Sequence, residues 1–159
     1  MNLIIFLTTF IAMEGITWCT HKFVMHGFLW NLHYDHHNKN KSKFMEKNDW
    51  FFVFFAILSM SLFYIGSTIE GIGFCIYISL GILAYGISYV IVHEIIIHKR
   101  LFSNWTQKFF YFKALQKAHR KHHSHLGPEE GECFGMLWVP FHYFKEAYKN
   151  RQIESQRTA

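Results

Sequence analysis

The sequence predicts an all-α fold: a membrane-embedded bundle of three to four transmembrane helices with a histidine-rich, two-metal cap on its cytoplasmic side. Two observations predict this fold. Three apolar stretches are long enough to cross a bilayer, and one histidine array occurs twice, each time just beyond such a stretch. About half of the 159 residues are hydrophobic, which excludes a disordered chain. The length suits a single domain over residues 1–159.

The three predicted spans cover residues 1–20, 50–69 and 71–92. The second and third contain no charged residue, and the first contains only Glu14. Twenty residues at helical rise extend about 30 Å, the thickness of the hydrocarbon core. The first stretch lacks the basic start and small-residue cleavage site of a secretory signal, so we predict a membrane helix there. A fourth apolar segment, 133–144, is too short to span and is predicted to be interfacial or re-entrant.

The basic residues predict the orientation of these spans. Every Lys and Arg lies within 22–47 or 99–157, which the positive-inside rule assigns to the cytoplasm. The N-terminus is then outside, and both histidine arrays and the C-terminus are cytoplasmic. This distribution explains the net charge of +5 without a nucleic-acid partner. Residues 101–115 are predicted to form an interfacial helix and residues 145–159 a solvated end.

Ten of the twelve histidines form two arrays of one pattern, H-x-x-x-x-H followed after a gap by H-x-x-H-H. The first array is His21, His26, His33, His36 and His37. The second array is His93, His98, His119, His122 and His123. Imidazole is the commonest metal ligand and suits iron, copper, nickel and zinc, so the arrays predict metal binding. Ten histidines favour a two-metal site with open coordination positions over one closed structural ion.

Spacing separates two kinds of histidine within each array. Residues three and four apart share a helix face, so each H-x-x-H-H triplet directs three imidazoles to one place. The H-x-x-x-x-H pairs stand about 140° apart on an ideal helix. Each pair therefore either reaches two different ions or requires a locally deformed helix.

Three acidic residues are candidates to orient the histidine ligands. Glu14 lies inside a predicted span, where an ionised group is costly and commonly functional. Asp35 lies between two histidines of the first array, and Glu94 follows His93, so either can hold the second ring nitrogen of a ligand. Both also fit an ordinary solvated acid. His125 and His142 lie outside the arrays and are predicted not to bind metal.

The histidine boxes resemble those of a known family. The segments THKFVMHGFLW, LHYDHH, EKND, VHEIIIHKR and AHRKHH, in this order and separation, are similar to the bacterial β-carotene 3-hydroxylases of the fatty acid hydroxylase superfamily. The resemblance extends from about Trp18 to Val139. One departure is Glu94, where the family usually has aspartate.

The resemblance implies a non-haem di-iron monooxygenase with all ten array histidines as ligands or neighbours of ligands. It implies O2 as co-substrate and electrons from a reduced ferredoxin or an NAD(P)H-linked chain. The implied reaction is hydroxylation at C3 of the β-ionone rings of β-carotene, giving β-cryptoxanthin and then zeaxanthin. The implied location is the bacterial inner membrane, where the carotenoid is dissolved.

Some alternatives stay open at the sequence level. The same chemistry serves fatty acid or sterol hydroxylases, desaturases and carotenoid ketolases, and only the resemblance favours the carotenoid hydroxylase. A membrane haem anchor or metal transporter is a non-enzymatic alternative. The bases Lys39, Lys41, Lys43, Lys117, Arg120 and Lys121 either dock an acidic ferredoxin, or set the topology and contact anionic lipid.

Overall fold

The structure is a computed structural model that describes residues 2–38, 45–100, 109–127, 129 and 131–157. This part of the chain is helical and contains no strand, as predicted. The elements are α1 (Asn2–Cys19), a π-helical segment π1 (Thr20–Phe28), α2 (Trp30–His37), α3 (Asp49–Thr68), α4 (Phe74–Tyr89), a second π-helical segment π2 (Val90–Ile97), α5 (Phe110–His123) and α6 (Phe141–Arg157). The chain forms two compact units, residues 1–88 and residues 89–159.

Three helical stretches are long and apolar enough to cross a membrane, as the sequence predicts: Asn2–Phe28, Asp49–Thr68 and Phe74–Ile97. The first and third are longer than predicted because each runs from an α-helix into a π-helical segment, which in the first stretch is kinked at Gly27. Their exposed side chains include large apolar residues such as Leu3, Ile57 and Leu83. In water such surfaces would be unfavourable, whereas lipid tails solvate them.

Small residues bring the spans of the first unit into close contact. A Cβ added to Gly66 would lie 2.8 Å from the backbone nitrogen of Ile76, so glycine permits the α3–α4 approach. Midway along this hairpin the Ser59 hydroxyl donates to the carbonyl oxygen of Ser79 at 2.9 Å. Gly71, at φ +84°, forms the turn of the hairpin in a conformation that glycine adopts at little cost.

Helix α1 packs on α4 through another glycine. A Cβ added to Gly81 would lie 2.7 Å from the Cβ of Thr9. Further along the same contact, the rings of Phe10 and Tyr85 meet edge to face at 5.8 Å. The Tyr85 hydroxyl donates to Glu14 at 2.7 Å. The one acid of the first candidate span therefore has a polar partner within the protein.

In the second unit, α5 and α6 pack together around small and apolar side chains. The buried cluster comprises Ala114, Leu115, Ala118, Cys133, Val139, Tyr143 and Ala147. Gln116 joins α5 to π2, because its side-chain amide donates to the Ile96 carbonyl at 2.8 Å. This contact holds the histidine-bearing helix α5 against the end of the third candidate span.

The structure describes parts of three segments for which the sequence gives expectations in the second unit. Residues 131–140 form irregular backbone and α6 begins at Phe141, so the apolar segment 133–144 is not one element. The tail 145–159, predicted to be a solvated end, is helical to Arg157 and buries Ala147. For the predicted interfacial helix 101–115, residues 101–108 lie outside the described residues, and the rest belongs largely to α5.

Candidate metal centre

The first H-x-x-x-x-H box lies within π1, and the second begins within π2 and ends at His98, the residue that follows π2. In a π-helix the N–H of a residue bonds to the carbonyl five residues earlier, so residues five apart face the same way. The His98 amide donates to the His93 carbonyl at 2.9 Å, which is this pattern between the two histidines themselves. The ring centroids of His93 and His98 are 4.6 Å apart, and those of His21 and His26 are 5.2 Å apart. The widened helix therefore overcomes the 140° separation, and the locally deformed alternative is the one observed.

Gly27 turns the chain between the first box and the first triplet. Its backbone, at φ −102° and ψ −122°, leaves the helical region, and α2 starts three residues later. The side chains of α2 then face π1, so that His33 reaches His21.

The first unit contains a compact histidine cluster, which we call cluster A. The available ring nitrogens of its members lie within 4.8 Å of one another. The members are His21, His26, His33 and His37. His33 is at the centre, since its Nε2 lies 3.0 Å from His21 Nε2 and 3.1 Å from His37 Nε2. All but His37 are buried.

The tautomer of His33 follows from its second nitrogen. Its Nδ1 lies 2.7 Å from the side-chain oxygen of Asn48, which only accepts hydrogen bonds. The Nδ1 atom therefore carries the proton, and Nε2 of the neutral ring presents a lone pair toward His21 and His37. Converging ring nitrogens at such short distances suit a cation better than hydrogen bonds among the rings.

The segment EKND returns to α2 and supports the first triplet residue by residue. Glu46 accepts from His36 Nδ1 at 2.9 Å, while Asn48 holds His33. The Lys47 amide donates to Asp35 at 2.6 Å. Asp49 accepts from the amide of Glu46 at 3.0 Å, which steadies the segment itself. Asp35 thus anchors the loop through a backbone group.

The second unit contains cluster B, defined by His93, His98 and His119. Their available ring nitrogens lie within 4.8 Å of one another. His119 Nε2 is 2.8 Å from His98 Nε2, and it is 2.7 Å from the Nε2 of His123, which extends the cluster. Each triplet thus supplies its first and third histidines, which stand four residues apart on one helix face, to the cluster of its own unit.

The electrostatics of cluster B favour neutral, metal-binding imidazoles. Burial, followed by the neighbouring His93 and His98, holds the pKa of His119 well below the ordinary 6.5. Glu94 accepts from His93 Nδ1 at 2.6 Å and pairs with Arg100 at 2.8 Å. A carboxylate on the outer nitrogen fixes the tautomer and the orientation of the ring.

The middle histidine of each triplet, His36 or His122, is not among the cluster members defined above for its unit. His36 directs Nδ1 to Glu46, as described above. His122 is fully buried, donates from Nδ1 to the backbone carbonyl of Glu132 at 3.2 Å, and packs its ring on Phe134. In both, the Nδ1 proton is engaged, so Nε2 of the neutral ring keeps its lone pair.

These donor sets fit metal ions. Each cluster has at least three imidazoles, and acids or an amide orient the central or flanking rings from outside. The exposed His142, on α6, and His125, whose Nδ1 lies 3.2 Å from the Lys121 carbonyl, belong to neither cluster.

Comparison with known proteins identifies the family. The family model for fatty acid hydroxylases matches residues 6–144, most of the chain. The chain belongs to the fatty acid hydroxylase family.

Several curated relatives are similar over most of this chain. A β-carotene hydroxylase of Pantoea ananas is 40% identical over 139 residues, which cover 87% of this chain and 78% of the relative. A β-carotene hydroxylase of Paracoccus sp. (strain PC1) is 33% identical over 86% of this chain and 83% of its own. The chloroplastic β-carotene hydroxylase 1 of Capsicum annuum is 32% identical, covering 92% of this chain and 49% of its own. No solved structure matches significantly. The resemblance inferred from the histidine boxes is confirmed.

Sequence reasoning missed two residues at this fatty acid hydroxylase site, Glu46 and Asn48. Both were visible as part of EKND, but their link to the histidines depends on how the loop returns to α2. A signal was present: an acid and an amide two residues apart, both close in sequence to a histidine triplet and next to an apolar span.

Proposed function

We propose that this chain is a non-haem di-iron monooxygenase that hydroxylates C3 of the β-ionone rings of β-carotene, giving β-cryptoxanthin and then zeaxanthin. The observation that carries the proposal is the convergence of ring nitrogens at clusters A and B. Family membership and the relatives named as β-carotene hydroxylases support the substrate.

We assign one iron ion to each cluster. Three or more imidazoles per ion leave coordination positions open, which oxygen chemistry requires and a closed structural site lacks. The ions would supply the activation of O2 for attack on an unactivated C–H bond. The assignment of all ten array histidines as ligands or close neighbours of ligands is part of this proposal.

The protein's own residues preorganise the ligands. Asn48 fixes the tautomer of His33, Glu46 holds His36, and Glu94 holds His93. Because these bonds keep the outer nitrogens protonated, the inner nitrogens are available without a change of protonation state. Outer partners of this kind commonly change metal affinity or activity by about 10- to 100-fold when removed.

An apolar cavity of about 410 Å³ between α3 and α4 suits part of a carotenoid. Its lining includes Phe52, Phe55, Ala56 and Phe63. Phe52 lies one helical turn after Asn48, so the cavity begins close in the chain to the residue that holds cluster A. Its volume is within the usual range for ligand pockets. We propose that it receives the polyene of the substrate.

Narrowing this cavity tests the substrate assignment. Ala56→Phe should lower carotenoid turnover severalfold while the iron content stays unchanged, because the new ring fills space and touches no ligand. Leu58→Phe, on the exposed side of the same helix, is the matched control. Turnover of Ala56→Phe at the control level would place the substrate elsewhere.

The topology and electron supply complete the proposal. The chain would lie in the bacterial inner membrane with its N-terminus outside and its histidines and C-terminus in the cytoplasm, since the bases flank the spans on that side. In this topology two crossings separate the two arrays along the chain, so both would face the cytoplasm. A reduced ferredoxin or an NAD(P)H-linked chain would supply electrons there.

Expression in cells that accumulate β-carotene tests the reaction directly. Pigment chromatography should show β-cryptoxanthin and zeaxanthin. If the folded, iron-loaded protein yields no hydroxylated carotenoid, the substrate proposal fails. Because the family name also covers fatty acid hydroxylases, the lipid fraction of the same cells should be analysed for hydroxylated acyl chains, which would favour that second function.

Histidine variants test whether both clusters serve one reaction. His33→Ala and His119→Ala should each abolish hydroxylation and lower the bound iron, since each removes the central ring of a cluster. His125→Ala and His142→Ala are matched controls outside the clusters and should keep activity. Full activity after either cluster variant would contradict the ligand assignment.

A further inference from the structure

The second unit has a basic pocket that the proposed metal chemistry does not use. It has a volume of about 310 Å³, and it is lined by Lys99, Lys113, Gln116, Lys117, Arg120, Ala147 and Asn150. Four of these seven described residues are cations and none is an acid. On α5 the four lining residues recur three, four and seven residues apart, so they form one stripe of the helix.

Three separate segments of the chain line this pocket. Lys99 follows π2 and has a left-handed backbone at φ +55°. Helix α5 supplies the stripe, and α6 supplies Ala147 and Asn150. At its edge Lys117 forms an ion pair with Glu146, which joins α5 to α6. One acid at the edge leaves an excess of positive charge, so the pocket suits an anion.

The position of the pocket indicates the source of that anion. Lys99 stands two residues after Ile97, where the third candidate span ends. The headgroup regions extend the bilayer from about 30 Å of hydrocarbon to about 40–45 Å in total. Residues just beyond a span therefore lie at the level of the lipid phosphates, and anionic lipids attract bases there.

We propose that this pocket binds the phosphate of an anionic phospholipid. Arg120 provides planar paired donors that match phosphate oxygens, Lys99 and Lys113 add charge, and Asn150 adds a neutral amide. His119 directly precedes Arg120 on α5, so a lipid phosphate bound here would steady the helix that presents cluster B.

Lipid titration of the full-length protein tests the proposal without an activity assay. Native mass spectrometry of protein in a neutral detergent counts bound lipid during titration with phosphatidylglycerol or phosphatidylcholine. Wild type should retain phosphatidylglycerol preferentially. Lys113→Gln/Arg120→Gln should weaken this binding by roughly tenfold or more, because each base contributes on the order of 1 kcal/mol. Equal binding by this variant and wild type would overturn the proposal.

Two further variants separate the pocket from general charge and from folding. Lys145→Gln/Lys149→Gln removes the same charge from exposed positions of α6 that do not line the pocket, and it should bind lipid as wild type does. Lys113→Arg/Arg120→Lys retains the charge and should restore most of the binding. Equal losses in the α6 control and the pocket variant would refute a defined pocket.

Competing anions distinguish the lipid from other sources. Inorganic phosphate at the concentration of the lipid should not displace phosphatidylglycerol, since the acyl chains hold the lipid in the detergent micelle. Displacement at equal concentration would indicate a site for free phosphate and overturn the lipid assignment. A second result would also overturn the lipid assignment: the pocket variant binds lipid as wild type does, but an acidic ferredoxin no longer reduces it. The pocket would then be a protein-docking site.

Discussion

Asn48 is the residue whose replacement most directly tests how the chain prepares a histidine for metal. Its side-chain oxygen accepts from His33 Nδ1 at 2.7 Å, and Asn48 is only 3% exposed. Asn48→Ala removes this acceptor and leaves the buried ring N–H without its partner. The His33 ring can then rotate or take the other tautomer, in which Nε2 carries a proton and cannot bind metal.

The expected magnitude follows from the burial of the bond. Leaving a buried polar group unsatisfied costs about 1–3 kcal/mol. Because about 1.4 kcal/mol corresponds to a factor of ten, the loss in metal affinity is about 5- to 150-fold. This range includes the 10- to 100-fold effect that is usual for outer partners of metal-binding histidines.

The assay is iron(II) titration of purified protein, with hydroxylated carotenoid as a second measurement. Asn48→Asp keeps an acceptor at the same place and should retain most of the affinity, whereas Asn48→Ala should lose it. Asn31→Ala changes an exposed amide on α2 and is the matched control. If Asn48→Ala binds iron as tightly as wild type with its fold intact, the tautomer argument for His33 is wrong.

Three further outcomes follow from the structure. Gly81→Val should block the packing of α1 on α4, since its Cβ alone would lie 2.7 Å from that of Thr9, and should strongly lower the melting temperature; Gly15→Ala, with open space at Cβ, should not. Ser59→Ala should cost only about 0.6 kcal/mol, the average for a hydrogen bond between membrane helices, and a loss of several kcal/mol would show that more than this bond depends on the hydroxyl. Because the pKa of His119 is lowered in the folded protein, its imidazole takes up a proton more readily in the unfolded chain than in the folded one as the pH falls below 6.5. The metal-free protein should therefore lose thermal stability as pH falls through 6.5, and His119→Gln should reduce this dependence; identical profiles would contradict it.

Sequence alone was sufficient for the spans and for the repeated pattern of candidate metal-binding histidines. The bilayer sets a minimum length for an apolar helix, so residues 50–69 could be assigned from composition and length without any contact. Likewise, i+3 and i+4 spacing places histidines on one helix face whatever surrounds the helix. The central positions of His33 and His119 were not predicted and depend on how the H-x-x-x-x-H boxes pack against α2 and α5.

Only the tertiary structure decided which helical register the H-x-x-x-x-H boxes adopt. Spacing by five is compatible with two outcomes, and the choice depends on hydrogen bonds such as that from His98 to the His93 carbonyl, which a residue pattern does not specify. The same holds for Asn48, whose contact with His33 depends on the return of a loop. The basic pocket likewise unites Lys99 with residues of α5 and α6. In these last two cases the chain brings together groups that are distant in sequence, and packing, not local propensity, determines their proximity.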